Sequence, residues 1–367
     1  MSTPQQQKII NSPIKVIFTE DGVNYFVQRN KQLAKYRLSD GSEEYGVQMA
    51  GVEPESLQRM LILGFVSKIE VAVTDLVDMR PHIMELCKML GYAMLFRQFD
   101  THMYDVLLTS ELIQQWNRQN PRNSIDYGTK IADSVLQNMV LKNKDTVLAI
   151  KREILAKLRE DIVGNKKLLD EEKREQFHLA GRYINSINNL MWFILTVYRD
   201  TEGYHKLTHK IAEGLEQYIR KAEMPEYLSL LVIELIINVA NIKSDPVQNE
   251  LAALRMSPED DNTVYLTFKI SKKRGIPNER SRMQLTISNQ KSEYQDLKDR
   301  VDKKANVQLR EKSLQDFYGS EGGGEELGLY YLSYLAEACK KVDVRFESFV
   351  NEVPNTHQTL MNLVMNF

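Results

Sequence analysis

The fold turns on Leu228-Ser-Leu-Leu-Val-Ile-Glu-Leu-Ile-Ile-Asn-Val-Ala-Asn241. Apart from Ser229, Glu234, Asn238 and Asn241 its side chains are apolar, which predicts a helix buried around most of its circumference. Glu234, Asn238 and Asn241 stand at i, i+4 and i+7 and share one face. A carboxylate on such a helix is costly unless it reaches solvent, a partner or a ligand. One carboxylate followed by two amides offers oxygen atoms to a hydrated divalent cation. Magnesium keeps several waters and bridges to phosphates, so it suits such a row. The competing reading is a core helix with a satisfied polar stripe.

Downstream the pattern is mixed. A helix is expected over about 226–242. Val264–Ile270 and Met283–Ile287 alternate as half-buried strands. Gly319-Ser-Glu-Gly-Gly-Gly-Glu-Glu-Leu-Gly-Leu329 then leads into a helix over Leu327–Lys340. Glycines permit close backbone approach, and the helix start behind them offers free N–H groups and a positive dipole end to phosphate. No Gly-Lys-Ser/Thr follows, so this is not a Walker loop. Val342–Phe346 and Thr359–Phe367 read as closing strands. Between Lys269 and Lys312 stand thirteen Lys/Arg against six Asp/Glu, an excess suited to a triphosphate or an acidic partner.

These features, in this order, resemble the ATP-binding domain shared by histidine kinases, gyrase, the heat-shock chaperones of that class and MutL. The resemblance covers 223–367. Glu234-Leu-Ile-Ile-Asn238 looks like the family's asparagine box, which implies Asn238 as magnesium ligand, Glu234 as base and Asn241 beside the nucleotide. Gly324-Glu-Glu-Leu-Gly328-Leu329 looks like the second glycine box, which flanks the phosphates. The closing helix-strand-strand agrees. At the first glycine box Asn289 stands where the family has an Asp that accepts the adenine amino group, and the glycines that follow that Asp are missing. An Asn amide oxygen can accept the same bond. Val239 stands where alanine is usual. The stretch 291–327 corresponds to the nucleotide lid.

Upstream, Ile14–Phe18 and Val23–Val27 read as strands joined by a hairpin at Glu20-Asp21-Gly22, giving a small antiparallel β unit over 1–52. Helical periodicity covers 53–168, with helix starts at Pro54 and at Arg80-Pro81. Asp170–Tyr198 suits one long helix, and Leu207–Arg220 a second; together they form a helical hairpin over 169–222. If the chain is a complete kinase, that hairpin should carry the phosphoacceptor. His178 lies on its first helix, although neither the acid nor the Pro that usually follow are present. A surface histidine is the bland alternative. His205 and His209, at i and i+4, have no third metal ligand nearby. Cys87, Cys339, Trp116, Trp192 and Tyr330, Tyr331 and Tyr334 read as packing.

Composition sets the frame. The 367 residues carry 48 Lys/Arg and 50 Asp/Glu, so the chain is no general polyanion binder. The basic stretch lacks the interleaved aromatics of single-strand binders, so nucleic acid is not expected as a partner. The longest clean apolar run, Leu190–Val197, falls far short of the ~20 residues of a membrane helix. No secretory signal is read at the start, and two cysteines form no disulfide framework. The expectation is an α+β cytoplasmic protein. Its C-terminal domain would be a two-layer α/β sandwich binding ATP and magnesium, behind a mostly helical region that dimerises through the hairpin as a four-helix bundle. Two functions fit: an atypical protein kinase in signal transduction, and a catalytically inactive relative acting as a dimeric regulatory scaffold for a protein partner.

Overall fold

A computed structural model describes residues 14–30, 38, 44–49, 54–73, 76–126, 133–241, 263–271, 281–289, 298–299, 301, 327–353 and 358–367. The protein combines helices with an antiparallel sheet. It divides into two compact units, one of residues 1–94 with 223–367 and one of residues 95–222.

The first unit is built on seven strands: β1 (Ile14–Phe18), β2 (Gly46–Met49), β3 (Val66–Val73), β4 (Val264–Ser271), β5 (Arg282–Asn289), β6 (Arg345–Val353) and β7 (Gln358–Asn366), in the order β2-β1-β3-β4-β5-β7-β6. All neighbours are antiparallel, with Ile69 opposite Phe268, Phe268 opposite Leu285 and Leu285 opposite Leu363. In β4, Val264, Leu266, Phe268 and Ile270 are buried while Tyr265 and Lys269 are exposed, the alternation of a sheet with one covered face. The cover comes from α10 (Glu223–Asn241), packed on β4 and β5, and α11 (Leu327–Lys341), packed on β6. On β5 and β7, Gln284 and Thr286 both donate to the buried Asn362 Oδ1, at 3.1 and 2.8 Å, which fixes their register.

Three expectations change here. The residues Val23–Val27 are not a strand but part of α1 (Glu20–Asn30). Thr19 accepts from the Gly22 N–H at 3.2 Å, and Glu20 and Asp21 occupy the first turn, so Thr-Glu-Asp-Gly is a helix cap and not a hairpin. Gly22 is needed for another reason: a Cβ there would lie 2.5 Å from the Phe65 carbonyl oxygen. Next, β3 interrupts the stretch read as helical, and it joins β1 to β4, so β1 and β2 belong to the same sheet as the C-terminal strands. It follows α2 (Pro54–Ile62), which ends on Gly64 at φ 77 with Phe65 N–H donating to Met60 O at 2.9 Å. Finally, α3 runs Leu76–Thr109, so Pro81 lies inside the helix and not at its start.

The second unit is helical. It holds the later part of α3, then α4 (Glu111–Gln119), a short 3₁₀ turn (Pro121–Asn123), α5 (Asp133–Lys142), α6 (Lys144–Gly164), α7 (Asp170–Ser186), α8 (Asn189–Val197) and α9 (Glu202–Arg220). On α6, Ile150, Ile154, Leu158 and Ile162 recur every four residues and are buried. The expected single helix over Asp170–Tyr198 is broken at Ile187-Asn188. The Asn188 side chain accepts from the Leu190 N–H at 2.9 Å and starts a new helix. α7 and α9 do pack side by side. Thr201 caps α9 by accepting from the Tyr204 N–H. Among the described residues no helix is long and apolar enough to cross a membrane.

Candidate functional site

Glu234 is the anomaly on α10. Leu228, Leu231, Val232, Leu235 and Ile236 around it are buried, and Glu234 itself is half-buried. Partial burial pushes its carboxyl above the ordinary glutamate value, and the charge of Arg80 pulls it back part of the way. The helix stays regular through Asn241, so Glu234, Asn238 and Asn241 lie on one face of it.

Two neighbours of α10 set what else stands at that level. Lys341, the last residue of α11, holds Glu223, the first residue of α10, at 3.1 Å, and Tyr227 stacks on Tyr334 with ring centroids 5.4 Å apart. The helices therefore run antiparallel. Seven residues on from Tyr227 is Glu234, and seven back from Tyr334 is Leu327, the first residue of α11. Since both rise ~1.5 Å per residue, the start of α11 stands level with Glu234. Gly328 and Leu329 fall in this first turn; Gly324 lies outside the described residues.

The other neighbour is α3. A Cβ on Gly91 would lie 3.0 Å from Pro225 Cβ. Lys88 reaches Glu226 at 2.5 Å and Tyr92 Oη donates to Glu226 at 3.2 Å, so this turn of α3 is tied to the first turn of α10. Arg80 stands eleven residues before Gly91 on α3, and its charge acts on Glu234, eight residues on from Glu226. The result is a partly desolvated carboxylate that stands level with a helix N-terminus and feels the charge of Arg80. Sequence reading missed Arg80. Its Arg-Pro setting signals a helix start, and no spacing rule links it to a residue more than 150 positions away.

The remaining expected residues are dispersed. Asn289 is the last residue of β5, opposite Thr359 of β7. His178 is exposed on α7, in the helical unit. His205 and His209 are exposed on α9, with His209 Nδ1 3.4 Å from Glu213. Cys87 and Cys339 are fully buried, and burial pushes both thiols up, Cys339 to about 12, as inert core residues require. Most of the basic stretch and of the expected lid lies outside the described residues. Among the described residues no three His, Cys, Asp or Glu gather as a metal centre. A cavity of about 220 Å³ in the helical unit has Leu158, Ile162 and Ile219 among its lining, with Asp161, Glu216 and Arg220. Glu216 is already paired with Lys157 at 3.1 Å, so it offers no unspent chemistry.

No solved structure is similar to the chain at a significant level. An uncharacterised protein of Treponema pallidum (strain Nichols) is 27% identical over 390 residues, spanning all of both chains. A family model described as a family of unknown function matches residues 5–367, and the chain accordingly belongs to the family DUF8084.

Proposed function

We propose that residues 223–367 form a histidine-kinase-like ATP-binding domain, and that the protein binds Mg·ATP as part of a cytoplasmic signalling function. The observation that carries this reading is the antiparallel register of α10 and α11. It brings the start of the helix behind the glycine cluster level with Glu234. β5 ending at Asn289 and the closing order α11, β6, β7 support the same two-layer sandwich.

The donor set fits the ligand. Amide and carboxylate oxygens suit magnesium, and a helix N-terminus suits phosphate. Asn238 would hold the metal, which would supply charge neutralisation on the phosphates. The N–H groups of the first turn of α11 bind and orient phosphate oxygens. Asn289 accepts from the base. Glu234, whose carboxyl is raised by partial burial, is suited to take a proton from an attacking group. The helical unit supplies the dimer contact through α7 and α9, and His178, exposed on α7, is the candidate phosphoacceptor.

Calorimetric titration of Mg·ATP into the full-length protein tests the reading. Binding that is lost in Asn238→Ala supports it. No heat at millimolar nucleotide, or unchanged binding in Asn238→Ala, rejects it. A second reading, a nucleotide-binding but inactive scaffold, is favoured by Asn289 and the missing glycines after it. Acid-labile phosphate on the protein after incubation with labelled ATP, absent in His178→Gln, decides for the kinase; none at all decides for the scaffold.

A further inference from the structure

The sheet has one face covered by α10 and one face open to solvent, and the strand register decides what stands on the open one. Tyr265 and Lys269 lie four residues apart on β4, and Arg345 and Phe349 four residues apart on β6; all are exposed. Directly opposite residues share a face, and the pairs Lys269–Gln284, Gln284–Val364 and Val364–Glu347 carry that face from β4 to β6. Three antiparallel steps make β6 run opposite to β4. The order of ring and cation is reversed as well, so both rings stand toward one end of the strands and both cations toward the other. Strand spacing and rise place the two rings ~16 Å apart, and each ring ~14 Å from the cation on its own strand. Charge on this face is unbalanced. Lys68 stands directly opposite Lys269, an arrangement that costs stability. Glu70 pairs with Lys68, and Glu347 with Arg345 at 2.7 Å. Lys269 and Arg282, which stands opposite Ser271 on the cationic side, are exposed and hold no ion pair among the described residues.

We propose that this open face binds single-stranded nucleic acid lying across the strands, its phosphates on the side of Lys68, Lys269 and Arg282 and its bases on Tyr265 and Phe349. Phosphates relieve the repulsion between Lys68 and Lys269 and give Lys269 and Arg282 the counter-charge they lack. Every base has a flat face to lay on an exposed ring, so two rings aligned beside a cationic track suit a single strand of any sequence. An acidic polypeptide uses the same cations but has no use for the rings. In chain order the basic stretch lacks interleaved aromatics. The sheet supplies them from outside it, setting Tyr265 and Phe349 on the same face as its first described cations, Lys269 and Arg282. This face is independent of the Mg·ATP reading, because α10 packs against the covered one.

Fluorescence anisotropy of a labelled mixed-sequence single strand of about 16 nucleotides, as RNA and as DNA, tests this on the full-length protein over a range of salt. Binding of either probe, weakening as salt rises, is expected. The double variant Lys269→Gln with Arg282→Gln should bind more weakly and flatten the log–log salt slope by about 1.4, two phosphate contacts at ~0.7 each. Tyr265→Ala should weaken binding about fivefold or more with the slope unchanged, and Tyr265→Phe, which keeps the ring, should bind like wild type. Lys269→Gln removes a like-charge pair, so it should unfold in urea no earlier than wild type, which separates lost binding from lost folding. No binding of either probe at about 50 mM salt overturns the proposal, as does binding that the double variant or Tyr265→Ala leaves unchanged. Labelled poly-glutamate that binds as tightly as the oligonucleotides, and is insensitive to Tyr265→Ala, overturns it in favour of an acidic polypeptide. The Mg·ATP reading stands or falls separately, on calorimetry of Asn238→Ala.

Discussion

The two units settle most of their polar groups alike and differ in how they hold one carboxylate. In the helical unit polar side chains close the ends of helices or pair at the surface. Ser110, Asn188 and Thr201 cap α4, α8 and α9, Glu153 accepts from the buried Tyr204 Oη at 2.7 Å, and His178, His205 and His209 are exposed. In the sheet unit the Glu234 carboxylate sits half-buried among apolar neighbours on α10, and the charge of Arg80 acts on it. A polar group that stabilises the fold is spent, and one left under-satisfied by the fold is available to a ligand. Glu153 and Glu234 are the same residue type, but the first is hydrogen-bonded to a buried phenol and the second is left half-buried with its carboxyl raised.

The comparison breaks most visibly in the sheet core. Phe268 is fully buried at the centre of β4, between Ile69 and Leu285. Phe268→Ala should cost about 3–5 kcal/mol in urea unfolding. A loss under about 1 kcal/mol would mean that this strand is not central.

Within the helical unit two groups depart from the rule, Gln98 Oε1 and Tyr183 Oη. Tyr183 Oη is buried without a hydrogen-bond partner among the described residues, packed among Phe96, Phe99 and Tyr218. A Cβ on Gly214 would stand 2.5 Å from that oxygen, and the surrounding rings prevent the phenol from swinging away. Gly214→Ala should therefore cost about 1–3 kcal/mol, despite a helix-propensity gain of ~1 kcal/mol. Tyr183→Phe should stabilise by about 1 kcal/mol, because it removes an unsatisfied hydroxyl. In the double variant only the flexible end of Met103, its Cε 3.0 Å away, still crowds the new methyl, so most of the Gly214→Ala cost should vanish. Additive single effects in thermal unfolding would show instead that Tyr183 is not the obstacle.

What the sequence reveals divides along similar lines. Strands β4, β5 and β7 and helices α10 and α11 were readable because each carries its own periodicity, alternating in Val264–Ile270 and wide-striped in Leu228–Asn241. β3 was not. Val66-Ser-Lys-Ile-Glu-Val-Ala-Val73 lies between two helices, and its alternation acquires meaning only through β1 and β4, remote partners that cover it. The break at Asn188 was available as a cap signal but was overridden by the apolar run that follows. α1 failed as a strand because Thr19 offers its backbone a capped helix. For the site, the Glu234–Asn238–Asn241 face follows from spacing alone. Arg80 could not be found that way, since it arrives from another helix by packing.

Smaller effects sharpen the contrast at the capped helix ends. Thr201 accepts from the Tyr204 N–H at 3.2 Å, and its loss leaves an end group of α9 unpaired. Thr201→Ala should cost about 1 kcal/mol in thermal unfolding, with nucleotide binding unchanged. A change in nucleotide affinity would mean that the α9 cap shapes nucleotide binding as well as stability.

The smallest effect is the most diagnostic. An acid whose folded-state value is raised holds its proton more tightly folded than unfolded. Stability then falls as pH rises from the ordinary Glu value of 4.5 through the raised one, and the loss is complete above it. Glu234→Gln keeps the shape and removes this titration. The variant should match wild type below pH 4.5, be slightly more stable at neutral pH, and show a flatter stability profile between. The gain is small because the carboxyl is only half-buried and Arg80 already offsets part of the cost. If the variant is instead less stable at neutral pH, the carboxylate is a paired structural group like Glu153, and the contrast between the two units fails at its decisive residue. If it is more stable, yet still binds Mg·ATP and no longer turns it over, the fold is bearing a cost at Glu234 that only function explains.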